Sequence, residues 1–337
     1  MKISASIYSD KKSDQLIDTI RELNESHVDM IHVDCNDDLN VFTDIEIIQQ
    51  NSHIPIDLHI ITPDARRFLP ALQTFDIEYV TFQYEDLKVK ELDIPKEFMG
   101  QLGLAITSDT EIEVFDQYAE DFDFILFMAT VPGKSGGKFD KNNFRKIRAF
   151  QQKYPDKKVH VDGGVNAEVS FILRNMGVYA SVSGSYLFNS TNINTALLNL
   201  KLNEIESRFL VKDFMRDLDE SPVVYEKDLN LEQVLKVMNF GRLGFVMVVD
   251  DDGTFKGIIG NADLRRGLLE HIDNLNETDV YQLINFNPST VGGDFTVYQL
   301  LRFIKKESKT IVYLPVIDAS GKAIGSINFM NLIKGEL

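Results

Sequence analysis

The sequence predicts an α/β chain, a (β/α)₈ barrel followed by a smaller α+β unit, and three observations carry that reading. From residue 1 to about 190, a short apolar run alternates with an amphipathic stretch eight times. The apolar runs are nearly continuous, as expected for parallel strands covered on both faces. After residue 194 the pattern changes, and 211–337 falls into two similar halves. Eight β/α units in about 200 residues fit a small barrel. An open doubly wound sheet shares the first pattern, and periodicity alone does not separate the two.

In chain order, the expected strands are 2–7, 30–34, 56–61, 79–84, 102–107, 124–130, 159–162 and 180–184. Between them lie helical patterns at 13–24, 65–75, 111–122, 142–154 and 168–176, while 85–100 is irregular. A long helix is expected over 196–208. In the second half, VVDDDGTFKGII (248–259) lies against VIDASGKAIGSI (316–327), each a strand, an Asp- and Gly-containing turn and a second strand. Two such repeats can share one core where either alone would be marginal. The expected domains are therefore 1–208 and 209–337, the latter dividing at about 272/273.

Composition narrows the function. The chain has 337 residues, 44% of them hydrophobic and 26% charged, which argues against disorder. A net charge of −17 opposes binding to a nucleic acid polymer or an anionic membrane. It also repels an anionic substrate at long range, so a phosphate site must rest on local backbone N–H groups. Cys35 is the only cysteine, which excludes an intrachain disulfide. The N-terminus lacks the apolar core of a signal peptide, and the most apolar run, 122–131, is half the length of a membrane span. These features predict a cytoplasmic protein.

Four ligating residues fall at the C-terminal ends of expected barrel strands: His32 and Asp34 on strand two, His59 on strand three and Asp162 on strand seven. The i, i+2 spacing puts His32 and Asp34 on one face. All three strands deliver their ends to the mouth where such barrels keep their active sites. Two imidazoles and two carboxylates there suit a divalent metal such as Zn²⁺, Mn²⁺, Fe²⁺ or Co²⁺. Singly, each has a plainer explanation as a helix cap or a hydrogen-bonded histidine; their conjunction is the signal. Glycine-containing loops follow strands six (131–139), seven (161–166) and eight (183–188), where backbone N–H groups can approach a phosphate. Cys35 points away from this face and is expected to be packed. His53, His160 and His271 are expected to be structural or exposed, and 250–252 a solvated turn.

These residues carry a resemblance. From its first to its eighth strand the chain is similar to ribulose-phosphate 3-epimerases, a TIM-barrel family. The matching landmarks are ASIYS (5–9), IHVD (31–34), DLH (57–59), MATVPGKSGGKF (128–139), VDGGVN (161–166) and SGSYLF (183–188). The resemblance implies that His32, Asp34, His59 and Asp162 bind the metal. It further implies that Asp34 and Asp162 form the acid/base pair on opposite faces of a ketose phosphate, acting through an enediolate. It places the first-strand serine on Ser6, and the phosphate grip on Gly133, Gly136, Gly163, Gly164, Gly184 and Ser185. Several wall positions depart from the family pattern. The loop after strand two reads NDDLNVF (36–42), Ile61 replaces a methionine, Gln83 replaces a histidine, and Lys134, Ser135 and Gly137 alter the loop after strand six.

The second half resembles tandem CBS domains, especially those of arabinose-5-phosphate isomerases, through GIIGNADLRR (257–266). That resemblance implies dimerisation, making a homo-oligomer the expectation, and an adenine nucleotide as a candidate ligand with Asp263 on its ribose. The hydroxyl residue of the ribose pattern is missing from both repeats, which have Gly260 with Asp263 and Asn328 with Asn331. The leading reading is a metal-dependent ketose-phosphate epimerase with a regulatory or dimerising CBS pair. The rival from another class is an inactive barrel acting as a sugar-phosphate or nucleotide sensor. A third is an aldolase or decarboxylase on a related phosphate-binding barrel, and the lack of a Schiff-base lysine at a strand end weighs against a lysine-dependent aldolase.

Overall fold

The structure is a computed structural model that describes residues 1–9, 16–92, 94, 98–132, 136–201, 209–275, 278–306 and 311–328. Its contacts divide the chain into two units, Met1–Asn203 and Glu204–Leu337.

The first unit is a closed parallel barrel of eight strands in sequential order. They are β1 (Lys2–Ser6), β2 (Met30–Asn36), β3 (Ile56–Ile61), β4 (Tyr79–Gln83), β5 (Gln101–Thr107), β6 (Phe124–Met128), β7 (Lys158–Asp162) and β8 (Ala180–Ser183). Closure comes from pairing of β1 with β8, Lys2 opposite Ala180 through Ala5 opposite Ser183. The outer layer comprises α1 (Leu16–Glu25), α2 (Val41–Asn51), α3 (Leu69–Leu72), α4 (Asn142–Lys153), α5 (Ala167–Asn175), α6 (Ser185–Phe188) and α7 (Ile193–Lys201). Two expected helices are shorter and differently wound. The 65–75 pattern becomes a 3₁₀ turn, Ala65–Arg67, and the single turn α3, while 111–122 becomes the 3₁₀ stretch Ile112–Tyr118. The helix expected over 196–208 begins earlier, at Ile193, and 202–208 lie outside the described residues.

The barrel interior is layered. At its N-terminal end Tyr79, Phe124 and His160 pack together, with the His160 ring stacked 4.1 Å from Phe124 and 5.5 Å from Tyr179. Gly103 makes room for this plug, because a Cβ there would lie 2.2 Å from the Phe124 ring. Above the plug is a polar layer of Ser4 and Asp57, joined by a 2.8 Å hydrogen bond from the serine hydroxyl. Above that lie the inward ends of β2, β3 and β7. The plug and the α-layer exclude water from below, so polar side chains in the upper layers open only at the C-terminal mouth.

The second unit has two sheets. One orders β10 (Val223–Tyr225), β11 (Phe245–Val249) and β12 (Phe255–Gly260); the other orders β13 (Val291–Gly292), β14 (Tyr313–Ile317), β15 (Ala323–Asn328) and β9 (Arg216–Asp217). The helices are α8 (Val211–Phe214), α9 (Leu231–Gly241), α10 (Asn261–Glu270) and α11 (Val297–Lys306). The repeats exchange backbone. The lead-in strand β9 of the first pairs with β15 of the second, and Asn285, leading into the second, bridges Ile258 in the first. Phe245 and Tyr313 stack across the two sheets at 4.0 Å. Among the described residues, no helix is long and apolar enough to cross a membrane.

Candidate metal centre

Strand register builds the site. Asp34 on β2 stands opposite His59 on β3, and His32 opposite Asp57. Alternation turns His32, Asp34, Asp57 and His59 into the barrel. Asp162 ends β7 and reaches the same space from the far wall, opposite Met128 of β6. Ligand atoms of His32, Asp34, His59 and Asp162 all lie within 4.8 Å of one another. Asp34 Oδ1 is 3.3 Å from both His32 Nε2 and His59 Nδ1, and Asp162 Oδ2 is 3.9 Å from His32 Nε2. Both histidines are fully buried, whereas the aspartates retain some exposure toward the mouth.

The protein's own charges make this a cation-hungry place. Burial penalises the His32 imidazolium, but Asp57 and Asp34 more than offset it and hold the proton well above the ordinary histidine range. Asp57 is buried and takes a 2.8 Å bond from His32 Nδ1. Burial opposes its charge, and His32 with Ser4 reverses that, lowering its pKa. Asp34 is likewise held below the usual carboxylate range by His32 and His59 despite burial. Asp162 goes the other way: burial, aided by the Asp34 charge, pushes it up to about 6 against the pull of His32. Buried negative charge in this excess is costly unless a cation answers it. Two imidazole nitrogens and two carboxylates are a donor set that fits a divalent transition metal.

One cleft at the mouth joins the cluster to the loops above it. Its lining includes Ser6, Asp34, Asp162, Gly136, Gly163, Gly164, Gly184 and Ser185, together with Tyr8, Ser9, Asn36 and Thr130, which the sequence reading did not single out. Gly163 and Gly164 have φ of +107° and +66°. A Cβ would strike Thr130 Oγ1 at 2.3 Å in the first case and the Phe139 backbone nitrogen at 2.3 Å in the second, so this turn requires glycine twice. Gly184 lies against Ser9, and Ser185 opens α6. Ser6 Oγ approaches Asp34 Oδ2 at 3.5 Å and Ser9 Oγ at 3.4 Å. Gly133 lies outside the described residues, as do Lys134 and Ser135. Asp57 was also missed, although its place two residues before His59 on the same face was a usable signal.

The remaining candidates are elsewhere. Cys35 is buried, its thiol 3.4 Å from the Asp38 carbonyl. Asp263 caps α10 through a 3.1 Å bond from Gly260 N–H and pairs with Arg266 at 2.6 Å; Asn331 lies outside the described residues. Asp250 closes its turn by accepting from Asp252 and Thr254 N–H groups.

Comparison with known proteins finds matches in both units. The model of the ribulose-phosphate 3-epimerase family matches residues 2–188, and the CBS-domain model matches residues 211–270. The ribulose-phosphate 3-epimerase of Methanocaldococcus jannaschii is 28% identical over 229 residues, covering 64% of this chain and 97% of its own. That of Bacillus subtilis is 23% identical over 195 residues, covering 54% and 90%. Among solved structures, CBSX2 in complex with AMP is 24% identical and covers 38% of this chain and 96% of its own, with a TM-score of 0.31.

Proposed function

The chain belongs to the ribulose-phosphate 3-epimerase family, and on that premise we propose that it epimerises a ketose phosphate at the barrel mouth. The observation that carries this reading is the convergence of His32, Asp34, His59 and Asp162 within 4.8 Å beside a glycine-rich cleft. His32, Asp34, His59 and Asp162 would hold a divalent cation. When bound, it supplies a Lewis acid for the substrate carbonyl and its neighbouring hydroxyl.

The chain's own residues then divide the work. Gly136, Gly163, Gly164, Gly184 and Ser185 receive the phosphate, whose negative charge the net −17 of the protein would otherwise repel. Ser6 approaches Asp34 from the cleft wall. Asp34 and Asp162 face each other across the substrate position. One removes the proton from carbon on one face, giving an enediolate, and the other delivers a proton to the opposite face, inverting the centre.

In the same reading, 209–337 is a tandem CBS pair that dimerises or regulates the barrel, so the protein is a homo-oligomer of the cytoplasm. An adenine nucleotide is its candidate ligand, with Asp263 freed from its cap to take the ribose. The altered walls, Ile61 and Gln83 among them, point to a ketose phosphate related to ribulose 5-phosphate rather than necessarily that sugar.

Solvent-deuterium exchange into a panel of ketose phosphates, followed by NMR with metal-loaded protein, tests the proposal. The unmutated protein should label at least one substrate at the carbon beside the carbonyl. Asp162→Asn should slow labelling roughly 10²–10⁴-fold, the usual worth of a positioned acid/base. Labelling by Asp162→Asn at the unmutated rate overturns the acid/base assignment. Tight sugar-phosphate binding without labelling of any substrate favours the sensor.

A further inference from the structure

Gln83 ends β4 with its side chain fully buried, and its amide is held from both sides. Its Nε2 donates to Glu85 Oε2 at 2.5 Å and to the Ala105 carbonyl at 3.4 Å. Its Oε1 lies 2.9 Å from His59 Nε2. A carboxylate and a carbonyl only accept hydrogen bonds, so the NH₂ must face Glu85 and Ala105. The amide oxygen therefore faces the imidazole. It too only accepts, so the proton must sit on His59 Nε2. In the neutral ring the lone pair is then on the other nitrogen, Nδ1. It points into the cluster, 3.3 Å from Asp34 Oδ1.

Glu85 makes this arrangement hard to reverse. Its other oxygen accepts from Thr107 N–H at 2.9 Å, from Thr107 Oγ1 at 3.1 Å and from Thr110 Oγ1. Burial opposes the charge, yet these donors hold the carboxyl below the usual glutamate range, so it stays an acceptor. Turning the Gln83 amide over would set its oxygen against the Glu85 carboxylate and the Ala105 carbonyl, acceptor against acceptor, which is unfavourable.

We propose that Gln83, clamped by Glu85, is a positioning residue that holds His59 in its Nε2–H tautomer and presents Nδ1 as the metal-binding atom. The two imidazoles would then meet the cation through different nitrogens, because His32 has its Nδ1 on Asp57 and turns Nε2 inward. A neutral amide, backed by a remote carboxylate, does for one histidine what a direct carboxylate does for the other. It does so without placing a fourth buried negative charge against the cluster. The consequence for metal binding rests on the reading above; the tautomer does not.

The test uses the full chain, ¹⁵N-labelled and stripped of metal, in long-range ¹H–¹⁵N spectra that distinguish protonated from bare ring nitrogens. His59 is assigned by the loss of its signals in His59→Gln. At a pH where the ring is neutral, the unmutated protein should show a protonated Nε2 and a bare Nδ1 at His59. Gln83→Met keeps the side-chain length and removes both polar ends. It should mix the two tautomers and lower the affinity for Zn²⁺ or Mn²⁺, measured against a chromophoric chelator, roughly 10–100-fold. A bare Nε2 in the unmutated protein overturns the proposal, as does Gln83→Met with unchanged tautomer and unchanged metal affinity. If Gln83→Met does not fold, the unmutated spectrum alone decides. A protein with the Nε2–H tautomer that takes up neither cation supports the lock and refutes the metal reading, so the two failures are distinguishable.

Discussion

His160 occupies the barrel axis two residues below Asp162, between the rings of Phe124 and Tyr179. Burial pushes it down to about 4, and its Nε2 has no hydrogen-bond partner among the described residues. An unfolded chain would take up a proton there near 6.5 that the folded barrel refuses until near 4. Folding is therefore favoured fully above the unfolded value and loses support as pH falls from 6.5 toward 4, by up to about 3 kcal/mol. Urea unfolding at pH 7.5 and pH 5.0 should show this loss, and His160→Phe should reduce it. Equal pH dependence in both proteins would mean that the histidine does not carry it. The residue's plain role, a plug with a titratable ring, was legible only as far as "structural or exposed". The sequence places His160 on β7, but not the aromatic rings from β6 and the β8 lead-in that desolvate it.

Within the elements, strands were easier to read than helices. Every barrel strand lies within two residues of its expected ends, because a continuous apolar run buried on both faces has few other conformations. The 65–75 and 111–122 segments keep their apolar spacing but wind as a 3₁₀ turn followed by one α-turn and as a 3₁₀ stretch, respectively. Spacing of three is common to both windings, and Pro70 falls at the start of the short α3. The convergence of His32, Asp34, His59 and Asp162 could be read from strand ends. The bonds of Gln83 and Asp57 to particular imidazole nitrogens could not, since they depend on neighbouring-strand register. Register also explains Gly103, whose missing side chain admits the Phe124 ring. Gly103→Ala should destabilise the barrel by about 1–3 kcal/mol through overpacking, measured as a lower urea midpoint. Adding Phe124→Leu should recover part of that loss; no recovery would locate the strain elsewhere.

Over the whole molecule, electrostatics set two opposing demands. The chain carries a net −17, yet the proposed substrate is an anion and the pocket gathers carboxylates. Screening should therefore help the substrate arrive: raising NaCl from about 10 to about 150 mM, where the Debye length falls from about 30 to about 8 Å, should raise kcat/KM. A fall over that range would show that local attraction at the phosphate loops outweighs the global field. In the cluster itself, buried carboxylates and two convergent imidazoles call for one cation per chain.

That requirement gives the most direct test. Metal content after loading with Zn²⁺ or Mn²⁺ and desalting, read by mass spectrometry for the unmutated chain and for His32→Gln combined with Asp162→Asn, measures it. One equivalent per chain in the first and almost none in the second is the predicted result. No stoichiometric metal in the unmutated protein, or equal uptake by both, would contradict the claim that these four side chains share an ion.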